Sequence, residues 1–477
     1  MIGKEDRLVG KIEPLKKWEE KRLELLQGDE AKIKLQHDKG KKTARERIAA
    51  FFDAASFVEL GALKEESGVI CGYGLSSERP VYAVAQDITV KGAAMSKKQA
   101  DKIINTLSLA KKTGAPVVFF TDTEGFSVKE DALTLKAFGE VFAAISKLSV
   151  ICPIITLVAG ECCGIAAQFA MLSDISIAIE GVTVLMPFTP AVMGKAGDVN
   201  KDGKALGGAK VAAKQGSCAL TAKDEDEAIA KLKTLLALLP SSVDNKAPFV
   251  DSDDINRVLS ADGKDGFKLV TEIADNGTAI ELYPEYGAGM YTFLARIGGY
   301  SCALIASEPG KEAGRLNSKS CKKVARVLRL ADKYNLPVVN LIASDGLDVP
   351  AEENQGELMI SCGKMMRAYA LAQVPKISVV YGNAIGASYV ASVACAGSDL
   401  SFVWPNAMVA SLTKELAVLA FEADKIAEEG KEALEEAYAK TNNGVAIAKL
   451  GLADEVIYPS ETRKHVIAAL ELLYTKR

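Results

Sequence analysis

The chain has 477 residues and a net charge of −4, with 49% hydrophobic and 25% charged residues. This length suits two domains of roughly 200 residues each. Basic residues form no stripe with interleaved aromatic residues, which argues against a nucleic-acid partner. No stretch reaches about 18 uninterrupted apolar residues, so we expect no membrane-spanning helix.

The N-terminal segment is charged and has a helical pattern, without the apolar core of a secretory signal peptide. We therefore expect a cytoplasmic protein. Nine cysteines are scattered through the chain without a CxxC pair, which predicts reduced, mostly buried thiols and no zinc ribbon. The adjacent Cys162 and Cys163 are either small core residues, which we favour, or a redox-active pair.

Only two histidines occur, His37 and His465, and both lie in charged segments near the termini. A Ser-His-Asp triad, a histidine-liganded metal and a Cys-His dyad each need a histidine in the site. We therefore expect a site that works without histidine and holds no metal.

The first half of the chain alternates predicted helices and strands. Residues 97–113 form an amphipathic pattern, and 110–125 read as a helix end, a buried PVV-led strand and a polar tip. Residues 191–216, rich in Gly, Ala and Lys, are predicted to be irregular. Residues 240–265 collect Pro, Ser, Asp and Asn, and here we place the boundary between domains 1–245 and 246–477.

The second half repeats this plan. Residues 322–334 are amphipathic, and 331–346 match 110–125, which pairs Gly346 with Gly125. A second pair of turn glycines, Gly164 and Gly386, has nearly the same separation along the chain. Nearly equal offsets indicate two domains of similar plan. A charged helix is predicted over 413–441.

In each half, two strand-to-helix turns end in glycine or other small residues. Such turns expose backbone N–H groups that can bind an anion or a developing oxyanion, and small side chains let a ligand approach. Glycines at such turns can also be required only by the backbone conformation. The residues by themselves therefore leave a catalytic role and a purely conformational role open. The duplication favours catalysis, because two equivalent pockets suit a reaction with two carbonyl groups.

Several segments resemble the biotin-dependent carboxyltransferase family, in its propionyl-CoA carboxylase and decarboxylase branch. They are HDKGKKTARERI (37–48), DAASFVEL (53–60), GYGLSSERPVYAVAQDITVKGAAMS (72–96), VPKISVVYGNAIGASY (374–389) and GLADEVIYPSETRK (451–464). The resemblance covers nearly the whole chain. It implies an α/β protein of two duplicated crotonase-like domains, as in the ClpP/crotonase superfamily.

The resemblance implies a carboxyltransferase subunit that moves a carboxyl group between carboxybiotin and a short acyl-CoA, such as acetyl- or propionyl-CoA. Backbone oxyanion holes would hold the enolate. Biotin would arrive on a separate biotin carboxyl carrier protein, and the acyl-CoA would be the substrate. A biotin carboxylase or a membrane decarboxylase subunit would complete the complex, and the chain would form a homo-oligomer, a dimer or a hexamer.

The resemblance assigns the family's functional residues to the matching positions of this sequence. The implied catalytic residues are Gly125, Phe126, Gly164, Ile165, Gly386, Ala387 and Ser388. The implied cofactor-binding residues are Lys91, Gly92, Ala93, Gly346, Leu347 and Val390. Of these, the residue at the place of Val390 influences the acyl-chain preference in relatives.

Three turns depart from the family pattern, one of them at Gly164-Ile165, where the family has Gly-Gly. The family reads Asp-Ser-Gly-Gly-Ala-Arg where this chain has DTEGFS (122–127), which places the Glu124 carboxylate in the first turn. In the second half, Gly-Gly-Ala-Tyr is replaced by GASY (386–389). These changes keep two alternatives open: a non-catalytic carboxyltransferase-like partner subunit, and a biotin-independent crotonase-type acyl-CoA enzyme with Glu124 or Asp345 as the acid–base residue. A Glu124 side chain that filled the pocket would argue against catalysis.

Overall fold

The computed structural model describes residues 13–62, 68–127, 129–197, 202–251, 253–260, 262–349, 354–394 and 397–476. Its internal contacts divide the chain into two units. The first contains the residues up to Ala212 together with Thr221–Lys233, and the second contains Ala213–Leu220 and the residues from Thr234 onwards. The sequence-based boundary at 245/246 stays a prediction. No helix in the described ranges is both long and apolar enough to cross a bilayer.

The strands of the first half form a mostly parallel sheet and a separate two-stranded pair. They are β1 Val58–Glu59, β2 Val69–Ser76, β3 Arg79–Gln86, β4 Val117–Thr121, β5 Ile154–Val158, β6 Glu161–Cys163, β7 Ile175–Ile179, β8 Val184–Met186 and β9 Leu220–Ala222. The sheet order is β1-β2-β3-β4-β5-β7-β9, and β6 pairs with β8 beside it. Every residue of β4, β5 and β7 is buried, as expected for parallel strands covered on both faces.

Helices cover this sheet and connect its strands. They span Glu13–Gln27, Glu30–Asp38, Ala44–Phe51, Lys97–Thr113, Ala132–Ser149, Gln168–Met171, Pro190–Ala196, Gly203–Gly207, Ala209–Gln215 and Glu225–Leu238. The helix predicted over 97–113 is confirmed: Ser96 caps its start and Gly114, at φ 62°, ends it. The irregular structure predicted for 191–216 is wrong for its described part, because Thr189 and Asp202 cap short helices there, and residues 198–201 lie outside the described residues.

The second half forms its own sheet. Its strands are β10 Ile280–Glu281, β11 Met290–Ile297, β12 Tyr300–Ser307, β13 Val338–Ser344, β14 Lys376–Ile385, β15 Leu400–Val403, β16 Met408–Ala410 and β17 Glu455–Val456. The order is β10-β11-β12-β13-β14-β15-β17, with β16 paired to β14. A buried apolar cluster from β11 to β15 includes Leu304, Val339, Ile377 and Phe402 and forms the core of this unit.

The helices of the second half follow the same plan. They span Gly266–Ile273, Ser318–Lys333, Gln355–Leu371, Ala387–Tyr389, Lys414–Phe421, Ile426–Glu429, Lys431–Thr441, Gly444–Lys449 and Thr462–Leu472. The amphipathic helix predicted at 322–334 is confirmed and starts earlier, where Asn317 caps it. The single helix predicted over 413–441 is wrong. One helix ends at Phe421, and the next ends before Gly430, whose φ of 80° is incompatible with a right-handed helix.

The duplication extends to details of the backbone. Each half has a hairpin, β2-β3 and β11-β12, followed by three residues in the left-handed region. The first triplet is Lys91–Ala93 and the second is Glu312–Gly314, at the same offset that separates Gly125 from Gly346. Non-glycine residues seldom adopt positive φ, so this shared path indicates that both halves retain one geometry before the strand that leads to each site.

Candidate active site

Two neighbouring parallel strands of the first half, β4 and β5, end at the same edge of the sheet. The turn after β4 contains Gly125, at φ 103°, and the segment after β5 continues through β6 to Gly164, at φ 67°. The Thr123 N–H donates a hydrogen bond of 3.1 Å to the Glu161 carbonyl, which joins the two segments. The sheet thus places both predicted turns of this half side by side.

Within the described residues, the turn after β4 has one backbone N–H group without a partner. The Gly125 N–H donates to Thr123 Oγ1 at 3.0 Å. The next donor, the Phe126 N–H, makes no hydrogen bond to any described residue. The Ile165 N–H, which follows Gly164, is likewise unpaired within the described part of the chain. In each turn, therefore, the free donor directly follows a glycine of positive φ.

The second half repeats this arrangement. The Gly346 N–H donates to Ser344 Oγ at 3.2 Å, and the Leu347 N–H has no partner among the residues described. Gly386, at φ 51°, donates its N–H to the Ala410 carbonyl at 2.9 Å. The following Ala387 N–H again lacks a partner in the described ranges. Helix starts and exposed turns commonly leave such N–H groups open to water, and here they occur as two pairs at equivalent positions, which makes each pair available to an external acceptor.

Partly exposed apolar side chains occur on or near the residues that carry these donors. Phe126 and Ile165 are 56% and 46% exposed, and Leu347 and Val390 are 39% and 43% exposed. Ser388, in contrast, is buried: its Oγ lies 2.9 Å from the Ile385 carbonyl and 3.3 Å from the Ser344 carbonyl. The Ser388 hydroxyl therefore contributes to the packing between the two turns of the second half.

The predicted CoA-binding residues Lys91, Gly92 and Ala93 lie beside the first turn. The Glu124 N–H donates to the Gly92 carbonyl at 2.9 Å, and the Met95 N–H donates to the Gly125 carbonyl at 2.8 Å. The exposed Glu124 carboxylate lies against Gly92, where an added Cβ would meet its Oε2 at 2.1 Å. Glycine at position 92 therefore makes room for Glu124, whose carboxylate folds back on this triplet.

A buried ionic cluster lies beneath the first turn, and no sequence pattern indicated it. Asp122, fully buried, accepts hydrogen bonds from Lys41 Nζ at 2.7 Å and Arg47 Nη1 at 3.3 Å. Arg47 also donates to both carboxylate oxygens of Glu225 at 2.9 Å and to the Ala159 carbonyl at 3.0 Å. Arg47 thus ties the end of β4 to the end of β5.

The ionic cluster is isolated from water. Burial is the main influence on Lys41 and lowers its pKa, although the adjacent Asp122 acts in the opposite direction. There is also no space for a side chain at position 160, where an added Cβ would lie 2.0 Å from Asp122 Oδ1. The partners of Arg47 are 75 and 178 residues away in sequence, so no local pattern pairs them.

The two histidines and the cysteine pair lie outside these turns. His37 pairs with Glu46 at 3.0 Å on the surface, and His465 lies 3.8 Å from Glu455. Burial raises the pKa of the Cys162 thiol to about 12 and that of Cys163 to about 11, so both stay protonated at neutral pH. This favours the interpretation of Cys162 and Cys163 as core residues. The described residues contain no group of His, Cys, Asp or Glu side chains suited to a metal ion.

The chain is similar to a known protein family and to several of its members. Residues 35–477 match the carboxyl transferase domain. The chain is 31% identical to the methylmalonyl-CoA carboxyltransferase 12S subunit of Propionibacterium freudenreichii subsp. shermanii, over 98% of this chain and 95% of that protein. It is 33% identical to the methylmalonyl-CoA decarboxylase subunit alpha of Veillonella parvula, over 94% and 93%.

Among solved structures, the fold is similar to the transcarboxylase 12S hexamer with methylmalonyl-coenzyme A and methylmalonic acid bound. The TM-score is 0.91 at 30% identity, over 97% of this chain and 95% of that one. The predicted α/β fold with two crotonase-like domains is thereby confirmed.

Proposed function

The chain belongs to the carboxyl transferase family, a family of enzymes, and we propose that it transfers a carboxyl group between carboxybiotin and a short acyl-CoA. The observation that carries this proposal is the repeated turn, in which the donor after each positive-φ glycine is unpaired among the described residues. The methylmalonyl-CoA relatives favour a methylmalonyl/propionyl-CoA pair as the acyl substrate.

The first half supplies donors for a thioester. We propose that the Phe126 and Ile165 N–H groups bind the carbonyl oxygen of the acyl-CoA and stabilise the negative charge on it in the enolate. Backbone donors held in place cost no reorganisation during reaction, and one such donor contributes about 10²–10³ in rate. Phe126 and Ile165 also exclude water from the reacting carbon. The Lys91–Ala93 triplet would lie against the CoA.

The second half supplies donors that fit biotin. The ureido ring of biotin has a carbonyl oxygen, and the unpaired Leu347 and Ala387 N–H groups are the donors that such an oxygen needs. When bound, biotin supplies the nitrogen that carries the carboxyl group and exchanges the α-proton of the acyl-CoA. Gly346, Leu347, Gly386, Ala387 and Ser388 would orient the ring, and Val390 stands at the place that influences the acyl-chain preference in relatives.

The Glu124 side chain contacts Gly92, within the triplet that we propose to lie against the CoA. Its exposed carboxylate lies on the Lys91–Ala93 side of the turn. The chain also needs partners, because biotin must arrive on a carrier. We propose a biotin carboxyl carrier protein and a biotin carboxylase or membrane decarboxylase subunit as these partners, a cytoplasmic location, and assembly as a dimer or hexamer, as in the transcarboxylase 12S hexamer.

The test is decarboxylation of malonyl-CoA and methylmalonyl-CoA by the purified full chain, with and without free biotin. We expect biotin-dependent loss of the carboxyl group, and the faster substrate identifies the acyl class. Biotin methylated at the carboxyl-accepting nitrogen is the matched control and should not support turnover. Turnover without biotin would instead indicate a biotin-independent enzyme. CoA-ester binding without turnover would indicate a non-catalytic partner subunit.

A further inference from the structure

The turns after β4 and β13 each contain a buried hydroxyl at the same place, two residues before the glycine. These residues are Thr123 and Ser344, which are 2% and 1% exposed. Thr123 Oγ1 accepts the Gly125 N–H at 3.0 Å, and Ser344 Oγ accepts the Gly346 N–H at 3.2 Å. The same bond therefore recurs at equivalent positions of the two halves.

The Thr123 hydroxyl makes a second hydrogen bond, to the triplet Lys91–Ala93. It donates to the Ala93 carbonyl at 2.7 Å, so one oxygen joins the Lys91–Ala93 triplet to the turn at Gly125. Because this hydroxyl occupies the Gly125 N–H, the next donor along the chain, the Phe126 N–H, is the one left for a ligand. In the second half the Ser344 hydroxyl occupies the Gly346 N–H and leaves that of Leu347.

We infer that Thr123 and Ser344 are positioning residues, which rests on the function proposed above. Thr123 fixes the direction of the Phe126 N–H toward the enolate oxygen, and Ser344 fixes that of the Leu347 N–H toward the ureido carbonyl of biotin. Neither hydroxyl touches the substrate. Each selects which backbone donor of its turn is presented, and a misplacement of about 1 Å at such a donor costs about 100-fold in rate.

The test for the first half replaces Thr123 by valine, which has the same shape without the hydroxyl, and by serine, which keeps it. The readouts are kcat with methylmalonyl-CoA and free biotin, and the affinity for a nitroalkyl CoA thioether whose nitronate imitates the enolate. We expect Thr123→Val to lower kcat and analogue affinity by about 10- to 100-fold while KM for methylmalonyl-CoA changes little. Thr123→Ser should restore both.

Thr106→Val is the matched control for this substitution. Thr106 is 1% exposed and its hydroxyl donates to the Lys102 carbonyl at 3.0 Å within a helix, away from the turns. The Thr106→Val variant also loses a buried threonine hydroxyl, but it should keep the wild-type kcat and analogue affinity. A thermal melt of each variant verifies that it is folded.

Ser344→Ala tests the second half, with Ser301→Ala as its control, because the buried Ser301 hydroxyl has no partner within the described residues. We expect Ser344→Ala to raise KM for free biotin by about 10-fold and to leave the affinity for the nitronate analogue unchanged.

Equal effects of Thr123→Val and Thr106→Val, or no rescue by Thr123→Ser, would overturn the inference. So would a loss of analogue affinity in Ser344→Ala. A wild-type protein that binds the nitronate analogue no better than the plain acyl-CoA would count against the proposed function itself, whichever way the variants behave.

Discussion

The turn after β4 and the turn after β13 have the same backbone hydrogen bonds but rest on different supports. Beneath the first, Asp122 is held by Lys41 and Arg47. The equivalent of Asp122 in the second half is Ala343, and an added Cβ at Gly382 would meet the Ala343 Cβ at 2.8 Å. One turn is therefore fixed by buried charges and the other by close apolar contact.

This difference shows that the backbone path of the site does not depend on one kind of support. A buried cluster of two cations and two carboxylates gives little net stability, because desolvation offsets the attraction between the charges. It becomes costly only when a single member is removed and a charge is left unpaired. The first turn should therefore tolerate substitutions beneath it less well than the second.

The largest effect should follow removal of Arg47. Arg47→Met leaves Asp122 and Glu225 without their shared cation in a buried place, so we expect a loss of about 3–5 kcal/mol in the free energy of unfolding. Urea denaturation measures it. Arg45→Met is the control, because its ion pair with Glu59 is partly exposed and should contribute less than about 1 kcal/mol. Equal losses would show that the cluster is not the support that we describe.

The second prediction concerns a lysine that occurs in both halves. Lys102 and Lys323 are buried on equivalent helices, and they donate to the carbonyls of Val69 and Met290 at 2.9 Å and 2.8 Å. Burial lowers the pKa of Lys323 from 10.5 to about 8. The nearby Glu281 raises this pKa, and the nearby Lys311 lowers it further. Between these values the unfolded chain binds a proton that the folded protein has released.

Stability should therefore rise with pH from about 8 to 10.5 by up to about 3 kcal/mol from Lys323 alone, and Lys323 should add no pH dependence below this range. Denaturation at a series of pH values measures this slope. Lys323→Met should lose this part of the slope, and Lys102→Met should keep it because Lys323 is still present. A slope unchanged in Lys323→Met would contradict the lowered pKa.

A third comparison tests the space beneath the two turns. Gly160→Ala places a methyl group against Asp122, and Gly382→Ala places one against Ala343. Overpacking typically costs about 1–3 kcal/mol, and we expect the Gly160 variant near the upper value and the Gly382 variant near the lower. Thermal melting of both proteins gives the order. The reverse order would mean that the ionic cluster adapts more easily than the apolar contact.

The smallest effect should come from Glu124. Glu124→Gln keeps the size of the side chain and removes its charge, and the carboxylate is exposed and lies against Gly92. We expect kcat for methylmalonyl-CoA to change by less than about 3-fold, because an exposed charge is screened by water. A loss of 10-fold or more, about 1.4 kcal/mol in the barrier, would indicate an acid–base role for Glu124.

The sequence predicted what is local and repeated. The buried PVV strands, the helix at 97–113 and the glycine offsets follow from short-range patterns, and the structure has them. The cluster of Lys41, Arg47 and Asp122 was missed, because nothing in a local pattern pairs residues so far apart in sequence. The helices within 190–215 were missed because the glycine-rich composition favoured irregular structure, although Thr189 and Asp202 are local N-cap residues.

The left-handed triplets have a consequence for how relatives of this chain are recognised. In Lys91–Ala93 the glycine is the second residue, and in Glu312–Gly314 it is the third. The two halves thus share the shape of three peptide units, although glycine, the residue best suited to that shape, occupies a different place in each. A search by glycine pattern alone would treat the two segments as unrelated. A comparison of dihedral angles would recognise them as equivalent, because the backbone conformation agrees where the amino-acid sequence differs.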